Sequence, residues 1–147
     1  MIRAFFYLLF LCGCSSSHEM LQVQSNYITR EELASSFIGT PDPKLWCPPQ
    51  GQRVTINWTI PTCLWEYGDL YLVVTFRFSN QETCVKHVPL ERRRGIWEYR
   101  LLDDDYFNTG GIQTYKVDLF AGEIFLESWR HQLWAEKIVI EDETHHY

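Results

Sequence analysis

From Gln52 onward apolar and polar residues alternate with a period of two, and that pattern restricts the chain to strands that bury one face. Val54, Ile56, Trp58 and Ile60 fall on one side, with Arg53, Thr55, Asn57 and Thr59 on the other, which is the spacing of a half-buried β-strand. The next run, 70–79, places Leu70, Leu72, Val74, Phe76 and Phe78 on one face and Tyr71, Val73 and Thr75 on the other. Apolar residues on both faces predict a strand inside a sheet rather than at its edge. Further strands are expected over 83–88, 95–102, 114–120, 124–133 and 136–140, with turns at Asn80-Gln81 and Ala121-Gly122. Seven short strands separated by turns predict an all-β fold, an antiparallel two-sheet sandwich in which each sheet covers the apolar face of the other. This domain is placed at 52–141, followed by a frayed acidic tail at 142–147.

The chain begins in a different style. Arg3 supplies a positive charge, and 4–11 (AFFYLLFL) is uninterrupted apolar sequence. Such a run reaches about 12 Å as helix against about 30 Å of hydrocarbon core, so it suits a secretory signal rather than a membrane span. It ends in Leu11-Cys12-Gly13-Cys14. These residues resemble the lipobox of bacterial lipoproteins, in which Leu and two small residues precede the modified Cys. The resemblance implies removal of a signal peptide, 1–13, and attachment of diacylglycerol to the Cys14 thiol, with a further fatty acyl chain such as palmitate on its amine. At about 0.8 kcal/mol per buried CH₂, two or three chains hold a protein on a bilayer where one chain does not. Ser15, and not Asp, follows Cys14; by the same resemblance this favours the outer membrane, with the domain facing the periplasm or the surface. The competing reading is an ordinary cleaved signal peptide with a chance cysteine.

Between anchor and sandwich, 14–28 is polar over most of its length and is read as a flexible tether. Thr29 and Glu32 then form a capping box, with Ile28 and Leu33 as its hydrophobic staple. A short helix over 30–38 is expected, ending at Gly39 with Pro41 beyond it. Two to three turns are not stable alone, so Leu33, Phe37 and Ile38 are expected to dock on the domain or on a partner. The stretch 40–51 holds four of the chain's six prolines and reads as a stiff linker, neither helix nor central strand. This helix together with Thr40-Pro41-Asp42-Pro43 is similar to uncharacterised lipoproteins of chlamydia-type bacteria, a resemblance that brings no activity with it.

The sandwich itself resembles the immunoglobulin and fibronectin-type superfamily over about 52–140. The resemblance offers Trp58 as the tryptophan between the sheets and Tyr115 as a tyrosine-corner residue, its hydroxyl bonded to backbone near 108–111. After Cys14, three cysteines remain: Cys47, Cys63 and Cys84. An oxidising compartment permits one disulfide among them. If 52–60 and 70–79 are antiparallel neighbours, Cys47 approaches Cys84 while Cys63 lies about 26 Å off, far beyond the roughly 7 Å between Cα atoms that a bridge tolerates. A Cys47–Cys84 bridge is therefore expected, with three reduced thiols as the alternative.

Candidate chemistry is thin. Cys84 and His87 are three apart on a strand, so they point to opposite faces and form no dyad. Asp103-Asp104-Asp105 and Asn108 on a loop lack the spacing of an EF-hand and read as solvated carboxylates rather than a metal site. Neither a cofactor nor a catalytic set is assigned. A net charge of −6 provides no field to draw nucleic acid. What remains is contact surface. Trp46, Trp65, Tyr67, Tyr106 and Phe107 fall in expected loops, and Arg92-Arg93-Arg94 forms a basic loop suited to anionic headgroups or an acidic patch. Of Trp129 and Trp134, one is expected to face outward. The expectation is a non-catalytic envelope module, anchored to the membrane by lipid, that binds another envelope protein. A carbohydrate-binding module using loop aromatics is the second reading.

Overall fold

The computed structural model describes residues 19–29, 38 and 47–136. Among the described residues, seven strands form two antiparallel sheets. They are β1 (Leu21–Ile28), β2 (Gly51–Thr59), β3 (Leu70–Phe78), β4 (Thr83–Pro89), β5 (Arg94–Leu102), β6 (Ile112–Ala121) and β7 (Ile124–Arg130). One sheet runs β1-β2-β5 and the other β4-β3-β6-β7. Two short helices, α1 (Thr62–Trp65) and α2 (Asp103–Thr109), lie in connections that carry the chain from one sheet to the other.

The alternation becomes the core directly. Val54, Ile56 and Trp58 of β2 face Leu70, Leu72, Val74, Phe76 and Phe78 of β3 and Tyr115, Val117, Leu119 and Ala121 of β6. Leu21, Ile60, Leu90 and Leu101 complete the layer. β3 lies between β4 and β6, the interior place its two apolar faces imply. Trp58 packs over Gly95, its cross-strand partner on β5. A Cβ at Gly95 would stand 2.2 Å from that indole, so only glycine admits the ring. The indole N–H donates to the Arg92 carbonyl at 2.9 Å, tying the core to the loop before β5.

Several expectations are corrected. Residues 21–28 are not tether: every one pairs with β2, from Leu21 opposite Trp58 to Ile28 opposite Gly51. Leu21 is wholly buried. The stretch 29–51 is thus a connection within the sandwich, between β1 and β2, rather than a segment preceding it. Of the helix expected at 30–38 only Ile38 is described; it is helical and exposed, not packed on the domain. The strands 52–60 and 70–79 are not neighbours in one sheet but lie in different sheets, because 60–69 crosses over. The run expected at 124–133 ends at Arg130. Residues 137–140 of the last expected strand, the signal peptide with Cys14, Trp46 and the tail 142–147 lie outside the described residues.

The register of β1 predicts that Leu21→Ala will cost about 2–5 kcal/mol, as for other buried Leu truncations, read as a lowered urea midpoint with unchanged slope. Gly95→Ala should cost about 1–3 kcal/mol through overpacking against Trp58. A neutral Leu21→Ala would contradict the strand.

Candidate binding surface

The residues singled out above do not converge. Trp65 in α1 is half-buried and packs on the core, while Tyr67 beyond it is exposed. Tyr106 and Phe107 sit in α2 at the opposite end of the sandwich, Tyr106 half-buried on the core and Phe107 exposed. Their rings meet edge-on at 5.6 Å. The expected cluster of loop rings is therefore divided between two ends. Asp103-Asp104-Asp105 opens α2 instead of lying in a loop. Carboxylates in a first helical turn complement the helix dipole, and Asp103 Oδ1 also accepts the Gln50 backbone N–H at 3.2 Å.

Among the described residues, Cys47, Cys63 and Cys84 are free thiols, so the Cys47–Cys84 bridge is not formed. Cys47 and Cys63 are exposed. Cys84 faces inward opposite Phe76 and hydrogen-bonds with the Tyr99 hydroxyl. Burial is the chief cause that pushes the Tyr99 phenol above its usual range, with Cys84 adding to it. His87 lies on the outward face of the same strand, as the parity requires. Tyr115 is buried, which raises its pKa, and its hydroxyl meets Ser25 of β1 rather than the 108–111 backbone.

Ser25, Tyr27, Gln52, Tyr115 and His131 line a cavity of about 200 Å³ at the α2 end of the sandwich. His131 meets Tyr115 in a tilted arrangement at 5.1 Å, and its Nδ1 accepts the Leu133 N–H at 3.4 Å. Gln52 Oε1 accepts the Ile112 N–H. These polar groups serve to close the end of the sandwich.

The most distinctive surface is the outward face of the four-stranded sheet, which divides into two halves. At the α2 end, residues 131–136 lie across it. Trp134 covers the Arg77 guanidinium at 3.9 Å and the Lys116 ammonium at 5.5 Å, a cation–π arrangement. Its indole N–H donates to Glu136 at 3.0 Å, and Glu136 approaches Lys116 and Arg130. Beneath, Lys116 pairs with Asp118 at 3.0 Å, and Ser128 donates to Asp118 at 2.6 Å. Of the two late tryptophans, Trp134 is the outward one, while Trp129 stacks on Tyr115 at 5.4 Å.

The other half of this face carries rings. Tyr71, Phe120 and Phe125 are successive cross-strand partners on β3, β6 and β7. Tyr71 and Phe120 are offset-stacked at 5.5 Å and 13°, and Phe125 meets Phe120 edge-on at 5.7 Å. The Tyr71 hydroxyl donates to the Gly122 carbonyl at 3.0 Å, which fixes the ring's tilt. Pro89, opposite Tyr71, and His87, 6.3 Å from it, extend the row onto β4. Phe125 is about half exposed. Strand alternation places Tyr71 on the face opposite Leu70 and Leu72, but the row appears only when the register aligns four strands.

Glu136 predicts an acid response. The Trp134 N–H, and then the Lys116, Arg130 and Arg77 charges, hold its carboxyl below the ordinary value of 4.5 despite slight desolvation. A lowered folded-state pKa stabilises the docked segment above the unfolded value and loses that contribution as pH falls through the folded one. Docking of residues 131–136 should therefore weaken as pH falls beneath the ordinary carboxylate value, with a change in Trp134 fluorescence that Glu136→Gln shifts or abolishes.

No protein-family model, no curated protein and no solved structure matches the chain. The role of this surface is therefore read from its own geometry.

Proposed function

We propose that the chain is a lipid-anchored protein of the bacterial outer membrane whose sandwich recognises another envelope protein and performs no chemistry of its own. The anchor is Cys14. The observation that carries the recognition is the row of Tyr71, Phe120 and Phe125 across the outward face of the four-stranded sheet, continued by Pro89 and His87. Aromatic rings concentrate at the centres of protein interfaces, where they supply much of the binding energy. A sugar platform needs ring faces open to solvent. Here the faces of Tyr71 and Phe120 are turned toward each other, which favours an apolar protein surface over a pyranose.

Two experiments test this. Cys14→Ala should abolish palmitate labelling and move the protein to the soluble fraction; unchanged membrane association would contradict the anchor. Cross-linking the lipidated protein in membranes should capture a protein partner. Tyr71→Ala with Phe125→Ala should weaken that capture by about thirtyfold, the equivalent of one hot spot of about 2 kcal/mol. Binding on a glycan array that these substitutions remove, with no protein captured, would overturn the reading.

A further inference from the structure

Incorporation of 21–28 into the sandwich fixes where the anchor meets the domain. The Thr59 N–H donates to the Met20 carbonyl at 2.9 Å, and Thr59 is the register partner of Arg94. Met20, Thr59 and Arg94 thus stand abreast on three neighbouring strands, so Arg94 lies about 10 Å from the point where the chain joins the sheet. The Arg92-Arg93-Arg94 loop is held firmly there. Its Arg92 carbonyl accepts the Trp58 indole N–H, and its Arg93 carbonyl accepts the Ile60 N–H at 2.8 Å. The Arg93 guanidinium donates to Thr62 Oγ1, while Arg92 and Arg94 are exposed. Glu19, Met20, Thr62, Arg93 and Arg94 line one hollow.

Only 15–18 separate Cys14 from Glu19. Even fully extended, the chain from Cys14 to Glu19 spans no more than about 18 Å. A domain on so short a lead cannot turn its far end to the membrane without lifting the near end out of reach. We infer that the end of the sandwich carrying Arg92, Arg94 and Tyr67 is a bilayer-docking surface, with the two arginines on lipid phosphates. This rests on the anchor proposed above. The guanidinium fork suits phosphate oxygens, and an exposed tyrosine suits the headgroup boundary. Carboxylates are present too. Glu19 lines the hollow, and Glu66 and Glu91 stand in the adjoining loops. Asp69 and Glu123 lie in the turns beside β3 and between β6 and β7, at the end of the four-stranded sheet, about 10 Å across the sandwich. They oppose contact on that side, so the domain leans on the edge of the three-stranded sheet. The lead sets the orientation, and the arginines hold it.

The two exposed thiols report on this. Cys63 lies in α1 at the arginine end, and Cys47 precedes β2 at the other, about 30 Å away along a nine-residue strand. The acylated protein, its lipid confirmed by mass, is placed in phosphatidylcholine vesicles with or without phosphatidylglycerol. A donor dye sits on Cys63 (with Cys47→Ser and Cys84→Ala) or on Cys47 (with Cys63→Ser and Cys84→Ala), and acceptors sit on lipid headgroups. Energy transfer from Cys63 should exceed that from Cys47 several-fold. Arg92→Gln with Arg94→Gln should lower transfer from Cys63, most strongly in phosphatidylglycerol vesicles, where the phosphate charge is not offset by choline. Equal transfer from both dyes on an acylated protein overturns the orientation while leaving the anchor intact. Unchanged transfer in the arginine variant overturns the phosphate contact. An unacylated chain overturns the anchor, and this inference with it.

Discussion

The fold depends on two apolar sheet faces meeting, and the contact that joins them most directly is Phe76 of β3 on Tyr99 of β5. Phe76 is fully buried, and the rings stack at 4.4 Å and 22° across the gap between sheets. Burying a side chain of this size is worth about 1.5–3 kcal/mol, and ring pairing adds about 0.5–1.5 kcal/mol. Cys84 packs beside the pair and bonds to Tyr99, so its thiol serves the core. Trp58 over Gly95 makes a second fixed point near the other end. Everything on the surface is positioned by these contacts.

Legibility in the sequence followed burial. Strands β2, β3, β5 and β6 show as alternation because each presents an apolar row to the core, and β3 shows as interior because both its faces are apolar. The opposite facing of Cys84 and His87 also follows from parity alone. β1 was hidden for a physical reason. It is an edge strand in which Leu21 is buried, Val23 half-buried and the rest exposed apart from a half-buried Ile28, so LQVQSNYI reads as polar linker. Its pairing is made by backbone, which composition does not reveal. The misplaced disulfide came from the crossover at 60–69: two strands adjacent in sequence entered different sheets, and the geometry drawn from their pairing failed.

The candidate surface shows the same limit. Strand parity indicates that Tyr71 and His87 face outward, but the row they form with Phe120 and Phe125 is a product of register across four strands. The loop rings behaved differently because Trp65 and Tyr106 fold back on the core, while Tyr67 and Phe107 point outward at opposite ends. On the outward face, the 131–136 segment spends Trp134 on covering Arg77 and Lys116 and leaves the rings beside Gly122 bare. In the proposed arrangement those rings stand at the membrane-near end, so the partner they meet is itself held at the same membrane.

Amide hydrogen exchange tests the central claim, that the chain becomes strand within a few residues of the proposed anchor at Cys14. The β2-facing amides of Leu21–Ile28 should be protected together with those of β2 itself, opening only when the sandwich unfolds. Exchange of those amides at the rate of a free chain, with β2 still protected, would contradict the account: the domain would then hang on a long tether and no face would be bound to the membrane.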